Sequence, residues 1–203
     1  MGSSGEATAG IAPGNTVGAA SLLTVGHGTL RAEDLGELLG SAGVQLVVDV
    51  RSAPGSRRNP HFGRAELERW LPAAGIDYRW EKDLGGHRRP LEGSANMALR
   101  HPAFRGYADY MATGSFGTGL ARLLADAAAR PTVAVCAETL WWRCHRRLIA
   151  DAAVLLAGVE VCHLGHDGRV SAHRVTEGAR VANAEGTTRL VYDGGAAPWR
   201  GVA

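Results

Sequence analysis

Sixteen residues from Cys136 to Asp151, "CAETLWWRCHRRLIAD", hold two thiols, two carboxylates, two indoles, an imidazole and three guanidiniums. That set fits three kinds of chemistry. A thiol at a helix start, where Cys144 falls, has its pKa lowered by the helix dipole and gains thiolate character. Cys136, Cys144 and His145 are soft donors that suit a metal, but the paired C-x2-C spacing of structural zinc is absent, so no metal is expected. The third chemistry uses carboxylates. Glu138 and, from an earlier segment, Asp49 each close an apolar run, so the pair can stabilise a cationic sugar or activate a water while His27 handles a proton.

Around these residues lie groups able to grip a nucleotide. Trp141 and Trp142, with Tyr107 in reserve, offer rings for stacking a base, a contact worth about 1 to 3 kcal/mol. Arg57 and Arg58 in "GSRRNPHF" and Arg88 and Arg89 in "GGHRRP" present paired guanidiniums to phosphates. Arg51, His61, Arg143, His145 and Arg146 complete the candidate binding set. A basic face, an aromatic pocket and an acid-base pair are what an enzyme acting on a base in DNA needs. The leading expectation is therefore hydrolysis of an N-glycosidic bond of a nucleotide or modified base in DNA, without a cofactor. Two alternatives stand beside it: sulfur or phosphoryl transfer on Cys136 or Cys144, and a nucleic-acid-binding module without chemistry. Plainer roles are open to the same residues. Asp49 can pair with Arg51 or Arg146, Glu138 with Arg143 or with amides at a helix start, and the cysteines can be small buried hydrophobes.

Composition sets the frame for these side chains. At 203 residues and 45% hydrophobic content the chain suits one sizeable core, hence a single domain. Net charge is only +2, yet 21 of the 22 basic residues are Arg, which offers phosphates and carboxylates a planar fork. Between Arg51 and Arg105 eleven cations face six carboxylates, so this segment favours an anionic partner. Nucleic acid or a nucleotide is the expected partner, and a homodimer is open. Three cysteines, an odd number, without a secretory leader point to a reduced, cytoplasmic chain. No apolar run reaches the length of a membrane span.

The elements that must position the site follow from periodicity. Residues 1–20 are small and Gly-rich and read as a disordered leader; 21–195 form the domain and 196–203 a flexible tail. "SLLTVGHGT", "VQLVVDVRSAP", "RPTVAVCAE" and "VEVCHLG" are short apolar runs of buried-strand type, and "IDYRWEKDLGG" alternates like a strand nearer an edge. Between them, "RAEDLGELLGSAGV", "GRAELERWLPAAGI", "RGYADYMATGSFGTGLARLLADAAA" (broken near Gly114) and "RCHRRLIADAAVLLAG" carry helical spacing. "RVTEGARVANAEG" also has helix-like spacing and precedes a weak strand. Alternating strands and helices predict a Rossmann-like α/β fold, a mainly parallel sheet with helices on both faces. Ligands of such sheets bind outside the carboxyl ends of the strands, a rule that gathers His27, Asp49, Arg51, Glu81, Glu138, His163 and His166 on one rim.

The blocks "TVGHGT", "LVVDVRSAPGSRRNPHF", "LGGHRRP", "FRGYADYM", "VCAE" with "RCHRRLIAD", and "VCHLG" occur in an order that resembles the domain of unknown function 488 family, from about Leu22 to about Gly165. The resemblance implies no activity, because the family's function is unassigned. The chain departs from the family pattern at Gly28, where Ser is expected, and at the apolar loop "TLWWR". "VVDVR" followed by a Cys loop containing Arg143 also resembles sulfurtransferases and cysteine phosphatases, which hold an oxyanion at a helix start. The Cys136-x6-Arg143 spacing differs from the x5 phosphatase loop and lacks its glycines.

Overall fold

The computed structural model describes residues 21–55, 59–184 and 187–195. The expected leader and tail, and the pair Arg57 and Arg58, lie outside the described residues. Strands β1 (Ser21–Gly26), β2 (Leu46–Asp49), β3 (Asp77–Trp80), β4 (Thr132–Cys136) and β5 (Glu160–Leu164) are mutually parallel, and β6 (Val170–Ala172) adds an antiparallel edge. Their order across the sheet is β3-β2-β4-β1-β5-β6. The helices are α1 (Ala32–Ser41), α2 (Arg64–Ala73), α3 (Pro102–Tyr110), α4 (Gly114–Ala129) and α5 (Arg146–Ala157). This is the α/β arrangement predicted, with β3 at the edge and the α3–α4 break just before Gly114.

Successive residues of a strand point to opposite sheet faces, and here both faces are covered. Leu22, Leu46, Val48 and Ala134 pack under α3, α4 and α5 against Tyr107, Phe116, Leu123, Leu148 and Ile149. Leu23, Val25, Val47, Val133 and Val135 pack under α1 and α2 against Leu35, Leu39, Leu67 and Leu71. Burial on two sides explains why β1 and β4 read as continuous apolar runs rather than alternating ones.

The site follows from the connections. The chain leaves β1 through α1 on one face and leaves the neighbouring strand β4 through α5 on the other, so a crevice opens between their carboxyl ends. The connection from Gly85 to His101, free of helix and strand, lends Gly86, His87 and His101 to one side of that crevice. The last segment departs from the helix-like spacing of "RVTEGARVANAEG". Ala179–Ala184 (β7) and Thr187–Tyr192 (β8) form an antiparallel hairpin that packs on α5, with Gly178 at φ 79° leading into it. Leu190, Val191 and Tyr192 are buried by that docking, and cross-strand pairing outweighs a weak local preference.

At Gly26, the last residue of β1, an added Cβ would lie 1.9 Å from the Glu138 carbonyl oxygen and 2.8 Å from Arg146 Nη2. Gly26→Ala is expected to cost about 3 kcal/mol through forced backbone separation, measured by chemical denaturation. An unchanged midpoint would show that the two loops do not meet there.

Candidate functional site

The crevice is a cleft of about 1120 Å³. β1 sends His27 and Gly28 into it, β2 sends Arg51 and Ser52, and β4 with the loop to α5 sends Cys136, Glu138, Thr139, Trp142, Arg143, Cys144 and His145. Phe104 and Tyr107 of α3 close the far side. Glu138 is the one carboxylate among the described lining residues, against Arg143 and the imidazoles of His87, His101 and His145, which favours an anionic ligand.

At the floor of the cleft two thiols and an imidazole converge. Cys136 Sγ, Cys144 Sγ and His145 Nδ1 lie within 4.8 Å of one another, with Nδ1 3.6 Å from Cys144 and 3.9 Å from Cys136. His145 Nε2 donates to the Val50 carbonyl at 2.8 Å, which fixes the ring and turns Nδ1 toward the sulfurs. The trio is also a donor set that a thiophilic cation could occupy.

Arg146, first residue of α5, lies directly beneath. It is 1% exposed, and its guanidinium donates to the carbonyls of Glu138 and Thr139, to Thr24 Oγ1 at 3.5 Å and to Cys144 Sγ at 3.4 Å. Among the described residues no carboxylate stands within ion-pair range of it. A guanidinium removed from water without an anion is costly, and the sulfur it touches is the nearest group able to carry the compensating charge. The Cys136 thiol, then His145 and Arg146, hold the Cys144 thiol well below its usual value in spite of burial. Cys136 is pushed up by that same neighbour and by burial. The Arg146 contact and these shifts both favour the thiolate on Cys144 and the proton on Cys136.

A second ion pair shapes the opposite wall. Asp49 is 0% exposed and lies behind the wall, where both its oxygens accept from Arg51 Nε and one also accepts from the Tyr78 hydroxyl at 3.0 Å. Arg51 Nη1 donates to His27 Nε2 at 3.3 Å, and His27 Nδ1 donates to the Gly28 carbonyl at 3.0 Å. Burial and then the Arg51 charge lower the His27 pKa to about 4. His27 is thus a neutral imidazole whose one lone pair is already engaged.

The expected site residues divide accordingly. Glu138, His27, Arg51, Trp142, Arg143 and His145 share the cleft, and Glu138 is exposed, with the Leu140 amide on its carboxylate at 3.3 Å among the described residues. Asp49 is enclosed, so the expected carboxylate pair does not assemble in the cleft. Tyr107 lines it but is 1% exposed, its hydroxyl donating to Leu84 O at 2.7 Å, so its ring is core rather than a stacking surface. Trp141 lies flat on His163, centroids 4.1 Å apart and 8° between planes, which uses one face a base would take; Trp142 is 49% exposed and meets Trp141 edge to face, centroids 5.7 Å apart. His61 donates to Leu30 O, Arg88 lies over Tyr110 while donating to Gly86 O, and Arg89 is exposed; none of the three lines the cleft.

One network was not foreseen. Thr24 Oγ1 meets His163 Nδ1 at 2.7 Å, His163 Nε2 meets His173 Nδ1 at 3.0 Å, and His173 Nε2 donates to Asp151 Oδ1 at 2.8 Å. His163, expected on the rim, points instead beneath the sheet. No local pattern joins residues 24, 151, 163 and 173; only the β1–β5 register and the packing of α5 do.

Fold and site together define an α/β protein with a thiol-bearing cleft at the carboxyl edge of a parallel sheet. Within that class the chain belongs to the family described as domain of unknown function DUF488, whose profile matches residues 31–153. The blocks around His27 and His163 fall outside that stretch. Neither a curated protein nor a solved structure gives a significant match to the chain.

Iodoacetamide is expected to alkylate Cys144 at mildly acidic pH while Cys136 and Cys162 lag, read by peptide mass spectrometry; equal labelling of all three would remove the thiolate assignment. His27 and His163 stay neutral in the fold down to about 4 and about 3, against 6.5 when unperturbed. The unfolded chain therefore binds protons first, and stability declines as pH falls from about 6.5 toward 4. His27→Gln should reduce that slope in denaturation curves across this window, and an unaltered slope would contradict the neutral assignment.

Proposed function

We propose that the protein is a thiol-dependent group transferase in which Cys144 accepts a sulfane sulfur from a small anionic donor. The observation that carries this reading is the buried Arg146 guanidinium, which touches Cys144 Sγ and, among the described residues, no carboxylate. A thiolate held ready in a cleft, with an imidazole fixed beside it, is the arrangement nucleophilic cysteine chemistry uses. The thiolate attacks the outer sulfur of the donor, a new S–S bond forms on Cys144, and the donor's own bond to that sulfur breaks. The leaving group, sulfite from thiosulfate or a thiolate from an organic persulfide, departs with the electron pair.

Two observations favour sulfur over phosphorus. Arg146 is engaged with carbonyls below the floor and offers no free fork to a phosphoryl group. A second thiol, Cys136, stands where a sulfur adduct would form. Glycosidic hydrolysis retains Glu138 but lacks its partner, since Asp49 is bound by Arg51 and Tyr78. Nucleic-acid binding loses the Trp141 face to His163.

Incubation with thiosulfate or polysulfide should place one sulfur on Cys144, seen by intact mass, and Cys144→Ser should abolish the adduct. Glu138→Gln should leave it in place. Free base released from nucleotides or modified DNA by Cys144→Ser, but not by Glu138→Gln, would overturn the thiol reading in favour of the glycosidic one. Stoichiometric zinc in the purified protein, with no sulfur uptake until it is removed, would recast both sulfurs as metal-binding groups.

A further inference from the structure

Cys136 has no part in the first sulfur transfer beyond lowering the pKa of the Cys144 thiol. Its position asks for more. It ends β4, a strand hydrogen-bonded on both sides, so its backbone is fixed while its side chain faces α5 in the core layer that also holds Cys144. Both thiols line the cleft, and their sulfurs lie within 4.8 Å of one another. A disulfide requires the two sulfurs to close from that separation to about 2.05 Å, whereas Cys162, on β5 in the opposite core layer, lines no part of the cleft. His145 Nδ1 stands beside both sulfurs and can carry a proton between them and the cleft.

We propose that Cys136 is a second catalytic thiol that resolves the sulfur adduct of Cys144, releasing sulfide and leaving a Cys136–Cys144 disulfide. The step rests on the sulfur-transfer reading above, which supplies the adduct. Cys136 attacks the inner sulfur of the Cys144 persulfide. A bond forms between the two Sγ atoms, the bond from Cys144 Sγ to the outer sulfur breaks, and that outer sulfur leaves with the electron pair. The proton lost by Cys136 passes through His145 to the departing sulfur, so thiol plus persulfide anion become disulfide plus hydrosulfide. The outer sulfur is reduced as the two cysteines are oxidised, and no other reagent enters this step. The protein would then be a sulfane-sulfur reductase for one turnover, with an external thiol needed only to reopen the disulfide.

The test is a single turnover of the full chain with thiosulfate, following free sulfide and the non-reducing peptide map. Wild-type protein should release stoichiometric sulfide and gain a Cys136–Cys144 disulfide. Cys136→Ser and Cys136→Ala, used together because the site is buried, should retain the persulfide on Cys144 and release sulfide about tenfold more slowly or not at all. Cys162→Ser should match wild type. Sulfide release by the Cys136 variants at the wild-type rate would overturn the proposal, as would a wild-type persulfide that persists while Cys136 stays free. Absence of sulfur on Cys144 in every protein would overturn the sulfur-transfer reading and this step with it.

Discussion

The site depends on a guanidinium placed where water cannot reach it. Arg146 begins α5 yet points back under the sheet, joining Thr24 on β1 to the carbonyls of the loop that leaves β4. A charge in that position must find compensation, and its closest partner outside the carbonyls and the Thr24 hydroxyl is the Cys144 sulfur. One side chain thus closes the crevice floor mechanically and biases a thiol toward its charged form. Gly26 is part of the same constraint, because any side chain there would enter the space of Arg146 and the Glu138 carbonyl.

From Thr24 the hydrogen-bond chain continues through His163 and His173 to Asp151, and its polarity runs one way if Thr24 donates to His163 and each imidazole donates onward. Cation and anion then sit at opposite ends of a dry chain whose neutral members polarise one another. Tyr192 of the terminal hairpin donates to the other Asp151 oxygen, so β8 is tied to the same network. Packing of a hairpin far along the chain is in this way coupled to the floor of the cleft.

The opposite wall repeats the logic with a different outcome. Asp49 and Arg51 neutralise each other, and the pair presents a rigid Nη1 to His27 rather than a free charge to a ligand. His27 is consequently an oriented, neutral ring tilted against Phe62, with centroids 4.2 Å apart. The reactive asymmetry of the cleft therefore lies on the β4–α5 side, with Glu138 and Trp142 at its open rim.

Local periodicity was enough to read five parallel strands, the helices between them and the rim where a ligand would bind, because two-residue and 3.6-residue patterns are properties of consecutive side chains. It also placed His27, Arg51, Glu138 and the Cys136–Arg146 stretch at that rim, since strand ends follow from strand identity. The Asp49–Arg51 pair was legible as a neighbour interaction two residues apart. What the sequence alone left undecided was direction and company. Trp141 turns to His163, Arg146 turns to Thr24, and the two thiols meet across a loop, because tertiary packing brings together residues up to 122 positions apart. The C-terminal hairpin belongs with these, its weak spacing overruled by strand pairing and by docking on α5. The bias of Cys144 toward a thiolate was decided there too, because only the fold brings the Arg146 guanidinium to its sulfur.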